Sequence, residues 1–166
     1  MPKKLTEILA QANTQAFCDL GIALLIRSER DGYASLAEPE CRFYAVYRLD
    51  MDVNNGGFFG YFTNTAGNLA ADALIGLEQM GACHIHSLLQ RAASVFPGGV
   101  VPKSQGEREV FLDDSTPGDK WADLDKPNRF KAVFEPLDKE YYHSDDRVIA
   151  LALTFARAHV GEFRVD

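Results

Sequence analysis

Several features are scarce or absent in this 166-residue chain. Its three cysteines, Cys18, Cys41 and Cys83, are widely spaced and form no CxxC pair. An odd, scattered set argues against a disulfide framework and for a reducing, cytoplasmic setting. The longest apolar stretch, Gly21 to Ile26, is far too short to cross a bilayer. Met1-Pro2-Lys3-Lys4 carries positive charge, but Gln11, Asn13, Thr14 and Gln15 interrupt the apolar residues that follow, so no signal peptide is expected. Basic residues are the minority: 17 Lys and Arg stand against 24 Asp and Glu, for a net charge of −7. That balance excludes a basic nucleic-acid binder and argues against docking on anionic membrane. The chain has no GxSxG elbow, no GxxxxGK[ST] phosphate loop and no repeat of about 20–50 residues.

What is present is ordinary globular composition, 46% hydrophobic and 25% charged. At this length one domain over residues 1–166 is expected, burying about two thirds of the unfolded surface. The periodicity is helical nearly throughout. Leu5, Ile8, Leu9, Ala12, Ala16, Phe17, Leu20, Ala23 and Leu24 recur at three- and four-residue steps, predicting one amphipathic element that ends by Gly32. Glu38-Pro39-Glu40 reads as a helix start, and Asn54-Asn55-Gly56-Gly57 as its break. A short aromatic helix from Phe58 to Asn64 follows. Asn68 is a candidate cap for a helix over Leu69 to Met80, with Gly81 just past its end. Further helices are predicted over Ala82 to Phe96 and Glu107 to Leu112. From Lys126 two short helices split near Pro136, and a last helix is signalled by Ser144-Asp145-Asp146. Strand character is confined to Gly99-Val100-Val101. The expected fold is all-α, a bundle of about seven to nine short helices around one core.

Two segments hold residue types that could carry chemistry. In the first, Asp52, Asn54, Asn55, Gly56, Gly57, Phe58, Tyr61 and Asn64 crowd one corner. Read functionally, Asp52 and the carboxamides orient a polar ligand. Read structurally, Asn and Gly satisfy and shape a helix break, while the aromatics plug the core. The second is Cys83-His84-Ile85-His86. Two helix positions separated by two residues point about 200° apart, so His84 and His86 cannot share an ion. No metal and no cofactor is expected. Cys18 and Cys83 read as core, and nothing marks a nucleophile; the chain is expected not to be an enzyme.

The acidity is unevenly placed. Residues 107–146 hold 12 acids and 6 bases, net −6, whereas residues 1–106 are net −2 and 147–166 net +1. A solvated face is one account, with Asp145 and Asp146 serving a helix start. The other is an acidic surface for a basic partner. Carboxylates one helical turn apart sit about 5–6 Å from each other, comparable with phosphates along a DNA strand. Asp113, Asp114, Asp119, Asp123, Asp125, Asp138 and Glu140 are the candidate contacts.

Tyr44-Ala45-Val46-Tyr47, then Asp52-Val53-Asn54-Asn55-Gly56-Gly57-Phe58, then Tyr61-Phe62-Thr63-Asn64, together resemble the signature of a bacterial domain family. It was formerly a domain of unknown function and is now named for a DNA-mimic protein, number nineteen in its series. The likeness continues through Ala73-Leu74, Met80-Gly81-Ala82, Phe96-Pro97 and Leu137-Asp138-Lys139-Glu140-Tyr141-Tyr142, covering about residues 40–160. The resemblance implies an all-α acidic protein that occupies the DNA-binding surface of a helix-turn-helix repressor. It also marks two departures: Asp52 where Glu is usual, and Gly60 where a long polar side chain is expected.

The expected function is therefore a non-enzymatic acidic module. It would meet a basic DNA-binding protein, a transcription regulator or nucleoid protein, rather than nucleic acid or membrane, and the reading is compatible with a homodimer. Two alternatives stand beside it. One is a small-molecule or catalytic site at Asp52, Asn54, Asn55, Tyr61 and Asn64. The other is an immunity-type protein neutralising a basic partner.

Overall fold

A computed structural model of the chain describes residues 4–113 and 128–164. Among these it contains eight α-helices and no strand: α1 Leu5–Leu9, α2 Thr14–Asp31, α3 Glu38–Thr63, α4 Ala70–Met80, α5 Cys83–Ala93, α6 Gln105–Leu112, α7 Arg129–Tyr142 and α8 Val148–Ala158. Short 3₁₀ turns join several of them. The all-α bundle expected from periodicity is the observed architecture. No helix of the described residues is long and apolar enough to cross a membrane.

Helix α3 is the axis of the bundle. It packs against α2, α4, α6, α7 and α8, and its Phe43, Val46, Leu49, Val53, Phe58, Tyr61 and Phe62 are fully buried. Glu38-Pro39-Glu40 opens it as expected, and Glu40 reaches back to accept the Ala37 N–H at 2.7 Å. Glu40 is itself buried. It also accepts hydrogen bonds from Arg27 Nη1 and from the Arg164 backbone N–H, both at 2.6 Å, so one carboxylate binds α2, α3 and the C-terminal segment together.

Four local expectations are corrected. The first amphipathic element is two helices, because Asn13 caps a new start by accepting the Ala16 N–H at 3.0 Å. The carbonyls freed at the break, on Leu9 and Gln11, are taken by Arg157 of α8. The segment around Pro136 is one helix, not two. Pro136 lies on its exposed side, as does Ala132, whose carbonyl loses its helical donor there. Asn68 does not cap α4, since its Oδ1 accepts from Arg108 instead. Asp146 does not cap α8. Its Oδ2 crosses to the first turn of α5 and accepts the Ile85 N–H at 2.9 Å.

Candidate functional site

The signature corner is a kink in α3. Gly56 (φ −144°, ψ 15°) and Gly57 (φ 65°, ψ −173°) leave helical geometry, dividing α3 into a long first arm and a short second arm. Gly57 needs to be glycine, because its φ is left-handed and a Cβ there would strike the Asp138 carboxylate. A kink frees backbone groups on both sides, and buried ones must find partners. Helix α7 supplies them. Asp138 Oδ1 accepts the Phe58 N–H at 2.8 Å, and Tyr142 donates its hydroxyl to the Val53 carbonyl at 3.0 Å. One turn earlier, the Tyr141 hydroxyl donates to Asp50 Oδ1 at 2.8 Å, and Asn54 Nδ2 donates to the same carboxylate. Burial pushes the Asp50 carboxyl above its ordinary pKa, against these two hydrogen bonds. Burial likewise raises Asp138, helped by the nearby Glu135 charge and opposed by the Phe58 N–H.

The other signature residues do not converge on a ligand. Asn64 Nδ2 donates to Asp52 Oδ2 at 3.1 Å, tying the two arms across the outside of the kink. Asn54 is committed to Asp50, and Asn55 is exposed. Phe58 and Tyr61 lie in the core, Phe58 edge-on to Tyr141. The Tyr61 hydroxyl is buried without a hydrogen-bond partner, and burial raises its pKa.

The second arm is anchored at its far end by a residue that sequence patterning did not single out. Arg108 of α6 is fully buried. Its Nε donates to the Phe62 carbonyl, Nη1 to the Pro102 and Lys103 carbonyls, and Nη2 to the Asn64 carbonyl and Asn68 Oδ1, all within 2.9 Å. Five donors thus meet five neutral oxygens and no carboxylate. Burial lowers the Arg108 pKa, but a guanidinium stays charged. Glu107-Arg108-Glu109 reads in sequence as a solvated charge run. The available signal was register: Arg108 lies one turn from Leu112, the other buried residue of α6.

That inward turn changes the acidic block. Helix α6 shows solvent Glu107, Glu109 and, at its C-terminal cap, Asp113, with its only base buried. Of the seven candidate contacts, Asp113 is exposed. Asp138 is occupied by the kink. Glu140 forms a two-pronged pair with Arg91, at 2.6 and 2.9 Å, which holds the Glu140 carboxyl below its usual range. Asp114, Asp119, Asp123 and Asp125 lie outside the described residues. Glu135 pairs with Lys139 at 2.8 Å.

The DMP19-like protein family matches residues 34–159 of the chain. The chain belongs to that family. The matched segment holds the α3 kink, the α7 residues that clasp it and Arg108, while α1 and α2 lie before it. No curated protein and no solved structure matches.

Two surface grooves open on the described part of this DMP19-like chain. One, of about 530 Å³, runs between the kink and α7 past Gly56, Phe59, Gly60, Lys131, Glu135 and Asp138. The other, of about 570 Å³, lies among α3, α4 and α8, past Glu38, Met80, Phe155 and His159. None of Asp52, Asn54, Asn55, Tyr61 and Asn64 lines either groove. Gly60 is a helical glycine, a choice that destabilises by about 0.5–1 kcal/mol relative to alanine. Its position has open space where a Cβ would stand, and so does Gly56. Among the described residues no group of three or more His, Cys, Asp or Glu is placed to hold a metal ion. Cys18 is half-buried and Cys83 exposed, so Cys83 is not the core residue its neighbours suggested. His84 Nδ1 lies 3.0 Å from Ser144 Oγ.

Proposed function

We propose that the chain is a non-enzymatic acidic module that binds a basic DNA-binding protein, such as a helix-turn-helix regulator, over its DNA-contacting face. The observation that carries this reading is the charge sorting on α6. Glu107, Glu109 and Asp113 are presented outward, while Arg108, which would offset them, is drawn into the core. Membership of the DMP19-like family is consistent with it. Mechanistically the module competes with DNA. Its carboxylates take positions that phosphates would take, each desolvated and well-paired one contributing about 1–3 kcal/mol, and rim pairs much less. Charge complementarity also speeds encounter and sets orientation.

The test is capture from host lysate on the immobilised full chain at low and at high salt, then measurement of the captured protein's DNA binding with and without the chain. A DNA-binding protein is expected, released by salt, displaced from its DNA by the chain, and bound more weakly by the Glu107→Gln/Glu109→Gln/Asp113→Asn variant. Capture of no basic DNA-binding protein at either salt sinks the proposal. Capture of a basic toxin-like enzyme in its place supports the immunity-type reading instead.

A further inference from the structure

We infer that the groove over the α3 kink receives an arginine side chain from a protein partner, its guanidinium lying against Phe59 and meeting the Glu135 and Asp138 carboxylates. Three observations converge. First, Gly56 and Gly60 line the groove although neither backbone conformation nor crowding requires glycine at either position; Gly56 is at φ −144°, and a Cβ on either would meet only open space. What the missing side chains leave open is the groove itself. Second, the chain's own Lys131 holds its ammonium 5.0 Å from the centre of the Phe59 ring. A cation is therefore already accommodated on this ring, and by an exposed, flexible side chain that can swing aside. Third, Asp138 is half-buried beside Glu135, with one oxygen on the Phe58 N–H and no described cation paired to it. Glu135 is paired with Lys139 through exposed side chains, a weak surface pair, so an incoming guanidinium would meet the unpaired charge of Asp138 and share Glu135 with Lys139. Guanidinium suits the place better than ammonium, because it is planar, stacks on aromatic faces, sheds water more readily and can address two carboxylates. That the arginine belongs to a protein rests on the proposed basic partner. The groove's preference for guanidinium does not.

The experiment is amide NMR of the full chain titrated with N-acetyl-L-arginine methylamide. Saturable shifts are expected at Gly56, Phe59 and Gly60. Gly60→Leu, whose added side chain enters open space, should retain the folded spectrum and abolish these shifts. Lys131→Ala should tighten binding by about threefold by vacating the ring. N-acetyl-L-citrulline methylamide, neutral and nearly the same shape, should bind at least about tenfold more weakly. Absence of saturable shifts at these residues, equal binding of citrulline, or unchanged binding in Gly60→Leu would overturn the inference. Free L-arginine binding more than about tenfold tighter than the blocked form would make this an amino-acid site and overturn the protein source. The probe involves no DNA-binding protein, so failure here and failure of lysate capture are separate results.

Discussion

Asp138 Oδ1 accepts the backbone N–H of Phe58 at 2.8 Å, joining α7 to the start of the second arm of α3 across 80 positions of sequence. The bond works as a helix N-cap supplied from another helix. It also explains why Asp138 and the glycine pair occur together: the carboxylate sits where a Gly57 Cβ would be.

Removing this cap has a defined cost. Asp138→Ala should lower unfolding stability by about 1 kcal/mol, the usual loss for a helix cap, while Asp138→Asn retains an acceptor and should lose less. Gly57→Ala should be worse than Asp138→Ala, because it combines a left-handed φ with a collision. Urea unfolding of the three variants checks the order.

Arg108 should be the most sensitive surface-type residue in the chain. Arg108→Met would leave the Phe62 and Pro102 carbonyls without the Arg108 donor, while the Asn64 carbonyl keeps the Gly67 N–H at 3.2 Å and Lys103 is exposed, so it should cost about 2 kcal/mol or more, given about 1–3 kcal/mol for each unsatisfied buried group. Arg108→Lys carries three donors and cannot reproduce the fork, so it should rescue only part. Thermal unfolding of both variants measures the difference.

Asp50 makes stability depend on pH in a direction opposite to that of a salt-bridged aspartate. Its folded pKa is raised, so the folded state binds the proton more tightly than the unfolded state. Between the ordinary value, 3.8, and the raised one, stability therefore falls as pH rises, and above the folded pKa the desolvation penalty is fully present. Asp50→Asn, which keeps an acceptor for Tyr141, should gain on the parent at neutral pH, and the gain should shrink as pH falls toward 3.8. Denaturant midpoints of the pair across that range decide it; a gain that grows with acidity would contradict the assignment.

Glu140 and Asp138 should behave differently despite their shared place in the acidic block. Glu140 is paired with Arg91 at the surface, where ion pairs contribute little, so Glu140→Gln should leave the unfolding midpoint unchanged. It is the suitable charge-removal variant for partner-binding measurements, whereas Asp138 variants confound binding with the kink. Circular dichroism melts beside the binding assay separate the two.

Much of the site was legible in local pattern. Asn54-Asn55-Gly56-Gly57 announced a break, Glu38-Pro39-Glu40 a start and Gly81 a stop, because each depends on backbone conformations set within a few residues. Errors fell where a side chain had a choice of partner. Asn68 and Asp146 both stand near a following helix start, yet each serves a group brought in from elsewhere, Arg108 and Ile85. The aromatic positions Phe58, Tyr61 and Phe62 were readable as core, but nothing local distinguished Phe59, which is only partly buried at the groove.

Sequence alone determined the helical class, the kink, the excess of acid between 107 and 146 and the family likeness. Periodicity, glycine backbone freedom and charge are properties of near neighbours. Only the tertiary structure decided which charges remain on the outside. It drew Arg108 into the core, gave Asp138 to Phe58 and Glu140 to Arg91, and left Glu107, Glu109 and Asp113 facing water. The reason is that a buried polar group must be satisfied by whatever packing brings within hydrogen-bond reach, and partners such as Asn68 for Arg108 and Phe58 for Asp138 lie 40 and 80 positions away.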